Sequence, residues 1–342
     1  MTELPGYVLE SSLREGGEFT VQRGRRRSDS CPVLVVALAA EQPSPQSLRR
    51  LEHEFSLEAD LDAAWATRPL ALTHHEGRTL LILEDPGGVP LDRILAQREG
   101  QPIELTRFLR IALSVARALG EVHRHGLIHK DLHPANILVD DADTVRLTGF
   151  GIASRLPRER QAPLTPEVIA GTLPYMAPEQ TGRMNRSIDS RSDLYSLGIT
   201  FYEMLTGTLP FRATDPMEWI HCHIARQPAL PSERVIAVPA QLSAIVMRLL
   251  AKTAEERYQT AAGVAADLRR CLAAWESLGR IDSFPLATQD ASDRLMIPER
   301  LYGREREIDP AIGQRPAGIM AGRTGSSVDQ CTRGVSLRSL SR

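Results

Sequence analysis

Asp131 and Asn136 stand five residues apart in the run Ile128-His129-Lys130-Asp131-Leu132-His133-Pro134-Ala135-Asn136. A carboxylate can orient an attacking hydroxyl and accept its proton. A carboxamide five residues on can hold a magnesium ion. Moving a phosphoryl group onto a hydroxyl calls for both. His133 follows the carboxylate by two residues and can meet a phosphate when protonated.

These residues need a frame. Before them, residues 7–90 read as short strands with one helix. Phe19 to Arg23 and Val33 to Ala39 have strand character, and Arg78 to Glu84 reads as a buried strand ending at the turn Asp85-Pro86-Gly87-Gly88. Ser47 to Leu61 has helical spacing and carries Glu54. From Leu105 to His125 apolar residues recur at helical spacing. Phe201–Leu205, Met217–Arg226, Leu242–Ala251 and Thr260–Leu278 are predicted helical as well. The expected class is α+β: a small antiparallel β-rich lobe over about 7–86 and a larger helical lobe over about 87–276.

The run 128–136 resembles the catalytic loop of protein kinases, with Lys130 where the family has arginine. Further motifs follow in the family's order. Gly171 through Glu179 resembles the end of an activation segment, with Ala177-Pro178-Glu179 as its last triplet. Asp193-Leu194-Tyr195-Ser196-Leu197-Gly198 resembles the buried helix whose aspartate braces the catalytic loop. Arg257 matches the family's late arginine, so the resemblance implies a structural ion pair with Glu179. It also implies a bilobal fold, ATP and magnesium as cofactors, and contacts to the nucleotide from Glu84 and Asp85 at the lobe connection. The similarity covers about residues 7–276. The string His-Lys-Asp-Leu-His-Pro-Ala-Asn also resembles small-molecule phosphotransferases, but those enzymes lack the Ala-Pro-Glu segment and the helix after it.

The run Gly171–Pro210, including Gln180 to Asp189, is similar to the N-terminal kinase-like domain of large bacterial signalling proteins. In those an ATPase, a GAF domain and a sensor histidine kinase follow. Leu301-Tyr302-Gly303-Arg304-Glu305 resembles the entry into that ATPase. No GxxxxGK[ST] loop comes after it. The expectation is a linker over 277–308 and a disordered or frame-shifted tail over 309–342, with the natural partner being the ATPase and sensor portion, or a protein substrate.

Three charges of an active kinase are missing. Gly149-Phe150-Gly151 stands where the resemblance puts a metal-binding aspartate, and glycine has no side-chain oxygen. The strand lysine that holds phosphates should fall at Val36 or Ala37. Lysine occurs only at Lys130 and Lys252, so the arginine-rich composition does not explain an apolar residue there. His133 replaces the lysine expected two residues after Asp131. Without its lysine, Glu54 is expected to be solvated or otherwise paired. Gly16 and Gly17 lack GxGxxG spacing and form either a turn near a phosphate or a plain hairpin turn. A charge relocated from Arg23, Arg25, Arg26 or Arg27 is one reading of that basic run, and a solvated turn is the other. The expected outcome is weak or absent ATP and magnesium binding, in a pseudokinase rather than an active serine/threonine kinase.

The rest is exclusion. A net charge of −2 implies no general affinity for nucleic acid. No apolar run approaches the roughly 18 residues of a membrane span. Four cysteines without a CxxC pattern fit a reducing cytoplasm. His221-Cys222-His223 cannot converge on one metal from a helix, because adjacent side chains point apart.

Overall fold

The computed structural model describes residues 4–40, 42–155, 171–184 and 186–291. They belong to one compact unit, Met1–Ile297. Asn185, the Leu301–Glu305 motif and the tail from 309 lie outside the described residues.

The upper lobe is a five-stranded antiparallel sheet. Its strands are β1 (Tyr7–Arg14), β2 (Phe19–Arg26), β3 (Pro32–Leu38), β4 (Pro69–His75) and β5 (Arg78–Glu84), in the order β1-β2-β3-β5-β4. β3 is apolar throughout because both its faces are covered. Leu34, Val36 and Leu38 pack with Leu51, Leu81 and Leu83 on one side. Val33 and Val35 pack with Leu4, Leu80 and Ile82 on the other.

Helix α1 (Pro45–Ser56) lies under the first of these faces. Ser44 caps it by accepting the Ser47 amide at 3.1 Å, and Pro45 opens it. Its buried residues Ser47, Leu51 and Glu54 follow helical spacing. The helix stops at Ser56 rather than Leu61. The Leu57 amide turns back onto Glu54 and Phe55, and Leu57 and Leu61 pack into the lower lobe instead.

The lower lobe comprises β6 (Val89–Pro90), α2 (Leu91–Ala96), α3 (Leu105–Arg124), β7 (Leu127–Ile128), β8 (Ile137–Val139), β9 (Val145–Leu147), β10 (Ser154–Arg155), α4 (Ser190–Thr206), α5 (Pro216–Ile224), α6 (Pro231–Arg234), α7 (Ala240–Leu249) and α8 (Ala261–Leu278). The α+β, two-lobed class is the one the sequence pattern calls for. Spacing marked only Phe201–Leu205 of α4 as helix, and Asp193–Gly198 was read as helix from the family resemblance. α4 is buried nearly all round, so it shows no amphipathic period. Gly207 ends it at φ +70°, and a β-carbon there would strike the Gly100 carbonyl.

Residues 281–290 correct the expectation of a linker leading outward from 277. Ile281, Phe284, Leu286 and Ala287 pack onto the lower core. Asp290 accepts the Gln259 and Thr260 amides and the Thr260 hydroxyl, so it braces the residue that caps α8, Thr260, whose hydroxyl oxygen accepts the Gly263 amide. Among the described residues, no helix is long and apolar enough to cross a membrane.

Candidate active site

The loop 129–136 is held from below. Asp193, fully buried in the first turn of α4, accepts the His129 amide at 2.9 Å and the Lys130 amide at 2.8 Å. The His123 imidazole reaches the same carboxylate at 2.9 Å. Burial works against ionisation of Asp193, and the His123 contact and the loop amides outweigh it, so its pKa falls below the ordinary value. The His129 ring packs on Phe150 and meets the Thr148 carbonyl at 3.0 Å. Lys130 has a left-handed backbone at φ +67°, and the Gln180 amide caps its carbonyl at 2.7 Å.

Above this brace Asp131 reaches the surface with about a quarter of its side chain exposed. Its Oδ1 accepts the Thr172 amide at 2.8 Å, and its Oδ2 lies 3.7 Å from His133 Nε2. Burial alone would raise its pKa. His133 and the Thr172 hydrogen bond reverse that and hold the carboxyl well below the usual carboxylate range. Asp131 is therefore ionised at neutral pH, as a hydroxyl-orienting carboxylate must be. The His133 ring leans on Tyr175, whose hydroxyl donates to Glu203 at 2.6 Å.

Asn136 is fully engaged. Its Nδ2 donates to the Asp131 carbonyl at 2.9 Å, and its Oδ1 accepts from the Arg14 guanidinium at 2.9 Å. Arg14 also donates to the Ala135 carbonyl. Gly149, at φ +82°, packs directly on the same carboxamide. Glu54 is buried, not solvated. It accepts the Gly149 amide at 3.2 Å and is hydrogen-bonded by the Phe150 amide as well. Burial pushes its pKa up to about 7, against the pull of those two amides. Val36, in the expected lysine register, faces the same cavity.

Leu13, Val21, Leu34, Val36, Leu138 and Ile152 form apolar walls, with Arg14, Glu54, Asp131 and Asn136 as the polar side. The cleft is partly open to solvent, with a cavity volume of about 70 Å³. The residues do not fit a magnesium ion. Gly149 brings no oxygen, and an ion on the remaining lone pair of Asn136 Oδ1 would press against a guanidinium.

Four expected nucleotide contacts are not on the cavity wall. Gly16 and Gly17 sit at the exposed tip of the β1–β2 hairpin, with open space around both. Glu84 pairs with Arg68, and Asp85 pairs with Arg23 and caps the Gly87 amide. The connection from Glu84 to Gly87 also has no spare amide. The Glu84 amide donates to Arg68 O, the Asp85 amide to Pro32 O and the Gly87 amide to Asp85, while Pro86 has none. None of the basic run lines the cavity either: Arg23 is taken by Asp85, Arg25 by Glu10 and Arg26 by Asp29, and Arg27 is exposed.

Arg14 was missed in the sequence. Its only signal is a basic residue just before the glycine pair, in a chain lacking the strand lysine. Away from the cavity, Arg257 and Glu179 form a bidentate pair at 2.7 and 2.9 Å, with Arg257 wholly buried. His223 meets Tyr195 and the Leu173 carbonyl inside the lower lobe, while His221 is exposed. Among the described residues no cluster of His, Cys, Asp or Glu is placed to hold a metal ion.

The protein kinase domain family matches residues 7–267. Serine/threonine-protein kinase PknB of Mycolicibacterium smegmatis is 38% identical over 190 residues, covering 56% of this chain and 30% of that protein. PknB of Mycobacterium tuberculosis is 37% identical over the same length. "Probable serine/threonine-protein kinase CPE1738" of Clostridium perfringens is 31% identical over 265 residues, covering 77% of this chain and 38% of that protein. The chain thus spans about a third of the length of these relatives. With the match running through both lobes, the chain belongs to the protein kinase family, of the serine/threonine type.

Proposed function

We propose that this is a kinase-fold signalling module in which phosphotransfer is impaired, a pseudokinase that acts by binding a protein partner. One observation carries the reading. The two positions that should share a magnesium ion are a glycine without an oxygen and an asparagine engaged by an arginine. The family generally uses ATP and magnesium. Here Val36 stands where a phosphate-binding cation is expected, and the lobe connection from Glu84 to Gly87 offers no spare amide donor.

The second reading is an active serine/threonine kinase that transfers the ATP γ-phosphate to protein hydroxyls. Asp131 favours it, being ionised, reachable and oriented by Thr172. We assign Asp131 the hydroxyl-orienting role, with His133 beside it, should any transfer remain. Asn136, Asp193, Glu179 and Arg257 are assigned to holding the loop and the segment after it. The partner we infer is the ATPase and sensor histidine kinase portion of the same signalling system. A bacterial, cytoplasmic setting goes with that partner.

Thermal unfolding with ATP, with and without magnesium, tests this reading. A ligand bound only by the folded state raises the midpoint. The expected result is a small shift that magnesium leaves unchanged. A large magnesium-dependent shift would contradict it.

A further inference from the structure

Arg14 closes β1 just before the hairpin tip, and that end of the strand is tied to the lower lobe twice. The Ser12 carbonyl accepts from Arg93 of α2 at 2.7 Å, and the Arg14 guanidinium reaches Ala135 and Asn136. On the far side of the tip Glu18 pairs with Arg50 of α1. Three carboxylates act on the Arg14 charge: Asp92, Asp131 and Glu54. A divalent ion in this fold would sit among the same groups and offset the same charge.

We propose that Arg14 is the resident cation of this site, taking the place on Asn136 that a divalent ion would need, and that Gly149 is the complement that permits it. The geometry couples the two. With Nδ2 on the Asp131 carbonyl and Oδ1 on Arg14, the Asn136 carboxamide lies where a side chain at 149 would begin. A β-carbon there would meet Nδ2 at 2.6 Å and Oδ1 at 2.7 Å. Any side chain at 149 makes Asn136 swing away, which breaks the hold of Arg14. A metal-binding carboxylate at 149 and the Arg14–Asn136 contact are therefore alternatives. The chain has adopted the second, and the lobes are clasped without metal or nucleotide. Metal-bound polyphosphate is excluded by the guanidinium charge at Asn136.

The inference rests on the impaired-transfer reading for the identity of the site, but coupling tests it, not turnover. A double-mutant cycle joins Arg14→Met and Gly149→Asp, read by urea unfolding and by ATP titration with and without magnesium. Gly149→Asp is expected to lower the urea midpoint in the Arg14 background and to lower it clearly less with Arg14→Met. A magnesium-dependent gain in ATP affinity of about tenfold or more is expected in the double variant alone. Equal losses in both backgrounds overturn the proposal. So does such a gain in the unsubstituted chain. Should Arg14→Met not fold, Arg14→Gln takes its place, and the unsubstituted chain still provides a test through its magnesium response. Equal losses with no turnover strike only the role of Arg14. Turnover with coupled losses strikes the impaired-transfer reading and the exclusion of metal-bound ATP, and leaves standing the coupling between Arg14 and position 149.

Discussion

The α-carbon of Gly149 packs against the carboxamide of Asn136, so closely that a β-carbon would lie 2.6 Å from Nδ2. The backbone there is left-handed at φ +82°, which L side chains rarely adopt. Restoring a side chain therefore costs strain and displacement together. Gly149→Ala is expected to destabilise the fold by about 1–3 kcal/mol. Gly149→Asp alone is expected to lose stability without gaining phosphotransfer. Chemical denaturation of both variants checks this, and a variant as stable as the parent would contradict it.

Glu54 makes the stability of the fold depend on pH. Below about pH 4.5 the carboxyl is protonated in folded and unfolded chains alike. Between that value and about 7 the unfolded chain loses the proton first, so folding stability falls as pH rises. Above about 7 the loss is complete. Glu54→Gln, still able to accept the Gly149 amide, is expected to flatten this slope and to be more stable than the parent at pH 8 by ~3 kcal/mol. At pH 4 the two should agree. Urea midpoints across pH 4–8 measure it, and parallel curves for the two proteins would refute the assignment.

The Glu179–Arg257 pair is buried, and removing either partner strands a charge. Glu179→Ala is expected to cost about 3–5 kcal/mol. Arg257 also donates to the Ala251, Arg191 and Lys252 carbonyls, so Arg257→Ala should cost at least as much. Thermal unfolding of the two variants decides it, with a loss under about 1 kcal/mol, the value of an exposed pair, as the contrary result.

Asp290 braces the start of α8 from 30 residues away, by accepting the Thr260 amide at 2.9 Å. Asp290→Ala is expected to cost about 1–3 kcal/mol, as leaving part-buried donors unpaired does. Asp290→Asn should recover most of that. An unchanged unfolding midpoint in Asp290→Ala would contradict this role for Asp290.

Much of this architecture was legible because its signals are local. The spacing from Asp131 to Asn136 lies within one loop, and the β5 strand is a single apolar run. Motif order was enough to bring Glu179 and Arg257 together. What stayed hidden depends on contacts between distant segments. Arg14 meets Asn136 across 122 positions, Arg23 meets Asp85 across 62, and Asp290 meets Gln259 across 31. No local period encodes such meetings. The sequence showed that a strand lysine and a metal carboxylate were missing. It did not show that an arginine from another strand had filled the gap, nor that Glu54 had turned onto the Gly149 and Phe150 amides.

The central claim is that the Asp131 loop has lost the surroundings that transfer requires. The most direct test is γ-phosphate transfer from ATP to protein substrates, with magnesium and with manganese, alongside Asp131→Ala. No incorporation above that of the Asp131→Ala chain is expected with either metal. Incorporation that depends on metal and disappears in Asp131→Ala would contradict it.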